Sequence, residues 1–409
     1  MAYAVGQFSP ETSTGNKAYT GLGFTPDFII FHASLGTDTT NSNAGGGTMV
    51  GMAVSSTERA VVGQGGTSGV TTSDEWGWSE TAKCIHWRQA KTTVRLSADL
   101  VSMDADGFTL NWTTAGAGGY ETVDITYQAF DGVSNVSIDE FSSPTSAATN
   151  TTITPGFEAD LLFIIGGFTV GTGSQTRDSG SVSVGAATST SAQWCLNGLA
   201  EDNVTTSDTD TILWQTQVCN NGFNSADFIK GHVHDITSTT YVIDWDTVWA
   251  GGNVYFWGLS IEGGLSWEVG TDTKKTSTGT QAYTTAAEPA AVLIGSSDVT
   301  SLDTYTADYA VGYGGDDATN SYSNSYVNKN AVSTTDCHRT GRVDACAQIT
   351  DNAGNDDYDA NVDSFNATDF TLNFATADAT ASYFAWIAMT EPGGGATTRR
   401  YGLPMLGVG

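Results

Sequence analysis

Basic side chains are what this sequence has least of. Against 45 Asp and Glu it sets 15 Lys and Arg and 5 His, a net charge of −30 over 409 residues. Nucleic-acid binding needs cations that displace phosphate counterions, and anionic lipid repels such a surface, so neither is an expected partner. Long apolar runs are missing as well. Stretches such as Leu161 to Ile165 are far too short to cross a bilayer. Met1 to Gly6 has neither a basic start nor an apolar core, so no export leader is expected and synthesis inside a cell is. No Gly-x-Ser-x-Gly elbow stands between strand and helix, no phosphate loop ends in Gly-Lys-Ser/Thr, and almost nothing has helical periodicity. Cysteine is sparse and odd in number at 5, so at least one is unpaired within the chain.

What is present is folded in character. Aromatics make up 11% of the residues, too many for an acidic disordered chain. A folded, Asp-rich, Lys-poor surface suits a halophilic or marine setting, where salt screens like charges. A soluble acidic surface in ordinary salt is the plainer alternative.

The chain also repeats. Gly23-Phe24-Thr25-Pro26-Asp27-Phe28-Ile29-Ile30 returns as Gly156 to Phe163 and, more weakly, as Ala287 to Ile294. Val50-Gly51 returns as Val184-Gly185 and Val311-Gly312. Phe108 to Trp112 returns as Tyr241 to Trp245 and Phe370 to Phe374. Cys84, Cys219 and Cys346 fall between the second and third markers. The period is the size of a domain rather than of a solenoid unit. It predicts units at 1–132, 133–263 and 264–392, followed by a glycine-rich linker and tail at 393–409. Short joints predict a stiff string of domains.

Glycine at 48 residues, abundant Thr and Ser, and short β-branched or aromatic runs read as strands and turns. Phe28 to Phe31 is a continuous apolar run, as in a strand covered on both faces. The expected fold is all-β: three tandem antiparallel, jelly-roll-like β-sandwich domains. Leu35 to Gly47, Val170 to Ser181 and Asp316 to Ser333 read as polar surface loops. The three marker cysteines read as buried small apolar side chains.

Candidate sites are few, and each has a plainer reading. Trp76, Trp78 and Trp87 would stack on sugar rings if exposed and are ordinary core if buried. Asp351, Asp356, Asp357 and Asp359 form the densest acidic loop, a candidate for Ca²⁺, Mg²⁺ or Na⁺, though it lacks the glycine position and closing Glu of a calcium loop; a solvated turn is the alternative. His232 and His234 would share one face of a strand as a metal pair, with a third ligand, Asp235 or Cys219, supplied by the fold; hydrogen-bonded strand histidines are the alternative. Arg399, Arg400, Tyr401, Leu403, Met405 and Leu406 mix cations with apolar side chains in a tail too short for a core, which either frays or docks on a partner.

The Gly-Phe-x-Pro-Asp opening strand, the Val-Gly pair and Asp104-Ala105-Asp106-Gly107-Phe108-Thr109-Leu110-Asn111-Trp112 together resemble a module of structural proteins of tailed bacteriophages and tailed archaeal viruses. The likeness is best in the first repeat and looser in the other two. It implies a non-enzymatic component of the virion surface, assembled in the host cytoplasm: a turret, spike, decoration or fibre base. The partners it implies are copies of the chain itself, as a trimer or pentamer, and other virion proteins. A rival expectation is an adhesin for host-surface glycans using the tryptophan group.

Overall fold

The computed structural model describes residues 2–36, 46–116, 124–146, 149–226, 228–351, 353 and 355–391. No helix occurs among them, and the strands pair antiparallel. Each repeat builds one large and one small sheet. In the first, the large sheet runs Ala2–Phe8, Ile125–Asp131, Phe28–Gly36, Gly46–Ala53, Arg59–Gly66, Glu75–Glu80. The small one runs Gly15–Thr20, Gly107–Thr114, Thr93–Asp104, Ile85–Ala90. The first and last strands pair, and so do the second and the last but one, so the chain ends wind across both layers in the jelly-roll manner. The middle is a plain meander. The same order recurs in the other two repeats, whose large sheets open with Asn135–Ser142 and Ser266–Thr273.

Alternation along the large-sheet strands explains why they are apolar throughout. Ile29 and Phe31 face the small sheet of their own repeat. Phe28 and Ile30 face the opposite way, into a core shared with the other two repeats. Leu161, Phe163 and Ile165 of the second repeat, and Ala291 and Leu293 of the third, enter that same shared core. Their neighbours Leu162, Ile164, Val292 and Ile294 serve private cores. Each fully buried side chain of this size contributes roughly 1.5–3 kcal/mol, so a two-faced strand is doubly anchored.

The three sandwiches are therefore not strung out. They close into a ring. The strand Gln175–Asp178 of the second repeat adds to the edge of Glu75–Glu80 in the first. The strand Thr306–Ala307 of the third adds to the edge of Thr209–Trp214 in the second. Third and first repeats meet where Asn324 Nδ2 donates to Thr126 Oγ1 at 2.8 Å and Asn328 Nδ2 to Glu75 Oε1 at 2.8 Å. The stretch 37–45 of the first repeat lies outside the described residues.

Four readings of the repeat change in detail. The glycine of the third repeat that matches Gly51 and Gly185 is Gly314, not Gly312. A Cβ on Gly51, Gly185 or Gly314 would lie 1.9, 1.9 or 2.1 Å from the carbonyl oxygen of Cys84, Val218 or Cys346, respectively. The same contacts align Val218 with Cys84 and Cys346, so Cys219 sits one position further on. It is buried all the same. The segment read as a loop at Asp316 to Ser333 contains the strand Ser321–Asn328, most of it buried. Its polar side chains are satisfied inside the fold: Ser325 pairs with Thr350 of its own repeat, and Asn324 and Asn328 reach Thr126 and Glu75 of the first repeat. Likewise Val170 to Ser181 holds the edge strand Gln175–Asp178.

The joints are held by the Asp of the opening motif. Asp27 Oδ2 accepts from the backbone N–H of Gly132 at 2.7 Å and Val133 at 3.0 Å. Asp160 Oδ2 accepts from Gly263 N–H at 2.7 Å. The corresponding residue of the third repeat is Ala290, which has no carboxylate to make this contact.

Candidate functional site

The ring is closed by one hydrogen-bond pattern used three times. Ser73, Ser207 and Thr335 occupy equivalent turns, and each reaches the next repeat round. Ser73 Oγ donates to Glu201 O at 2.8 Å, Ser207 Oγ to Lys329 O at 2.7 Å, and Thr335 Oγ1 to Thr67 O at 2.6 Å. The same hydroxyls accept from Val204, Val332 and Val70 N–H at 3.0, 3.1 and 3.1 Å. The backbones of the three hydroxyl residues pair with Asn203–Val204, Ala331–Val332 and Gly69–Val70. Gly69, Asn203 and Ala331 all have positive φ, at 79°, 59° and 55°. Only glycine takes this conformation without cost, so Asn203 and Ala331 are held there by the contacts around them. The sequence carried this signal plainly, as Val70-Thr71-Thr72-Ser73-Asp74, Val204-Thr205-Thr206-Ser207-Asp208 and Val332-Ser333-Thr334-Thr335-Asp336. The pentapeptide reads as generic turn chemistry until its partners are known.

Next to this strap the three repeats enclose Glu75. Its backbone N–H donates to Asp202 Oδ1 at 2.9 Å, and one carboxylate oxygen accepts from Asn328. Burial pushes its carboxyl up to about 8; Asn328 and Gln64 favour the ion, while Asp202 and Asp74 oppose it. Tyr309, Tyr326 and Cys337 share the site, and burial drives their pKa values well above the ordinary ones. Elsewhere in the interior, a small cavity of about 30 Å³ is lined from all three repeats, by His32 and Gln128, Phe163 and Trp194, Leu293 and Tyr313. Gln128 Nε2 lies 2.6 Å from His32 Nε2, and burial lowers the imidazole to about 4, so it is neutral at ordinary pH.

The tryptophan group lies elsewhere than a sugar-binding reading needs. Trp76, Trp78 and Trp87 are at most 1% exposed and belong to the private core of the first repeat. Trp76 Nε1 donates to Arg88 O and Trp78 Nε1 to His86 O, which satisfies their polar edges inside. No glycan reaches these rings in this fold. An open groove of about 630 Å³ lies between the second and third repeats, lined by Glu158, Asp160, Thr188, Asp235 and Trp267.

The acidic loop does not converge on a cation either. Asp351 closes its own turn, accepting from Ala353 N–H, Asn355 N–H and Asn355 Nδ2 at 2.7, 2.8 and 3.0 Å. Burial works against its ionised form, but those hydrogen bonds outweigh it and hold the carboxyl below the usual range. Asp356 and Asp359 bind the guanidinium of Arg342 at 3.2 and 2.6 Å, so the cation they hold is a side chain. Asp357 is pushed up to about 6 by burial and by Asp378 and Asp351. Among the described residues, the group whose ligand atoms do come together is His232, His234 and Asp244, within 4.8 Å of one another. Asp244 replaces the expected third ligands: Asp235 is not in the group, and Cys219 is buried in the core. Arg399, Arg400, Tyr401, Leu403, Met405 and Leu406 lie outside the described residues.

No family model matches the chain, and no curated protein matches it. Among solved structures, the LG1-3 region of the laminin alpha2 chain aligns over 95% of this chain and 97% of its own, at 9% identity and a TM-score of 0.08. A similarity that low carries no argument about fold or function.

Proposed function

We propose that the chain is a non-enzymatic building block on the exterior of a tailed virus particle, a turret, spike, decoration or fibre base. The observation that carries this reading is the closed ring. One polypeptide forms a threefold body whose repeats share a core and are strapped together by the equivalent turns at Ser73, Ser207 and Thr335. Such a body spends its most specific contacts on holding shape. It presents three similar outer faces to neighbours, as a part that meets a symmetric surface requires. Further copies and other virion proteins are its partners in this reading, and the tail at 393–409 is the segment that docks. The strongly acidic surface keeps particles apart and favours salt or divalent cations.

The test is to locate the protein on purified particles by antibody labelling and electron microscopy, then to repeat this with residues 396–409 deleted. Label at regular surface positions supports the reading, and loss of incorporation by a truncated but folded chain supports tail docking. Protein found only in the particle-free fraction would defeat the assignment. A host-glycan adhesin remains the alternative, now resting on the groove around Trp267. Glycan-array binding abolished by Trp267→Ala would favour it.

A further inference from the structure

The geometry points to a site for a transition-metal dication of the Zn²⁺ class on the outer face of the second repeat's small sheet, formed by His232, His234 and Asp244. His232 and Asp244 are directly opposite each other across the strands Phe228–Ile236 and Tyr241–Thr247. Val233 and Ile243 point into the core between them, so His232 and Asp244 point out. A β-bulge follows Val233. The added residue leaves His234 and Asp235 both exposed and returns Ile236 to the core side. Two imidazoles and a carboxylate then lie on one surface with ligand atoms within 4.8 Å. Ligands on one tetrahedral zinc are about 3.3 Å apart, given bonds of roughly 2.0–2.1 Å. Modest rotation of partly exposed side chains closes that difference.

A fourth residue supports the assignment. Asp246 Oδ2 lies 3.2 Å from His232 Nδ1. A carboxylate accepting from Nδ1–H leaves Nε2 as the ligand atom and orients the ring, the usual outer-shell arrangement of metal-bound histidine.

The other repeats serve as internal controls, because the backbone of the site recurs in them. The cross-strand pair is Asp99 with Asn111 in the first repeat and Asn361 with Asn373 in the third. The bulge recurs at Val101 and Asp363. Among the described residues neither repeat has a ligand set there: Asp99 is paired with Lys83, and Asn361 Nδ2 bonds to Val362 O. The scaffold is general, and only the middle repeat fills it with nitrogen and oxygen donors. Nitrogen donors favour Zn²⁺, Ni²⁺, Cu²⁺ or Co²⁺ over Mg²⁺ and Ca²⁺, which prefer all-oxygen shells. Three protein ligands leave a position open for water or for a donor from a neighbouring molecule.

The experiment is calorimetric titration of Zn²⁺ into the untagged, chelator-treated full chain. One ion per chain is expected. The double variant His232→Ala, His234→Ala should abolish binding with an unchanged far-UV circular dichroism spectrum, since both side chains lie on the surface. Asp246→Asn should weaken binding by about 10–100-fold while keeping the stoichiometry. Zn²⁺ binding equal in the wild type and the double variant would overturn the site. Competition by Mg²⁺ or Ca²⁺ on equal terms would overturn its assignment to the Zn²⁺ class.

Discussion

Replacing Glu75 by Gln should stabilise the ring at alkaline pH and have little effect in acid. Glu75 lies where all three repeats meet, and burial raises its carboxyl from 4.5 to about 8. In the unfolded chain the group ionises near its ordinary value. Between those two values the folded state therefore binds more protons than the unfolded one, and stability falls as pH rises. Each unit of difference is worth about 1.4 kcal/mol, so the ionised form costs the fold on the order of 5 kcal/mol once pH exceeds the folded value. The amide of Gln keeps the shape and an acceptor for Asn328 without a titrating proton. Urea unfolding of wild type and Glu75→Gln at pH 5 and pH 9 measures this as a double difference, in which all other titrating groups cancel. The variant's advantage should be small at pH 5 and several kcal/mol larger at pH 9. An advantage of equal size at both values would refute the claim that this carboxyl is buried against its charge.

Ser207→Ala removes both the donor to Lys329 O and the acceptor of Val332 N–H, so it should cost about 1–3 kcal/mol and raise amide exchange at residues 329–332 before other segments. Gly185→Ala should destabilise the second repeat by at least the ~1–3 kcal/mol usual for overpacking, because its Cβ would meet Val218 O at 1.9 Å; an unchanged thermal midpoint would argue against that close approach. Trp78→Ala should lower unfolding stability by roughly 3–5 kcal/mol and leave any glycan-array signal unchanged, as expected of a core ring rather than a binding one.

Much of the fold is legible in the sequence because it depends on neighbours along the chain. Turn residues, β-branched runs and a domain-sized period are local properties. They suffice to read sheets, a threefold repeat, and a strand at Phe28 to Phe31 covered on both faces. The Asp of the opening motif is legible only in part. It stands at positions 27 and 160 and gives way to Ala290 in the third repeat, but what the carboxylate does appears only when the joints are seen. The candidate sites were less legible. An acidic loop and a tryptophan cluster look alike whether exposed or buried, and Arg342, which neutralises Asp356 and Asp359, is distant enough in sequence to be missed.

What the sequence determined by itself is therefore the material: antiparallel sheets, three of a kind, strongly acidic in balance, with a strand at Phe28 to Phe31 apolar on both faces. What only the tertiary structure decided is that the three close on one another. Closure depends on surfaces contributed by residues about a hundred or more positions apart, and no local period reports whether two such surfaces match. That is why Ser321–Asn328 reads as a loop yet is a buried strand, and why Val-Thr-Thr-Ser-Asp reads as a turn yet straps the ring. Polar side chains are stable inside only when their partners arrive with them, and here the partners belong to the next repeat.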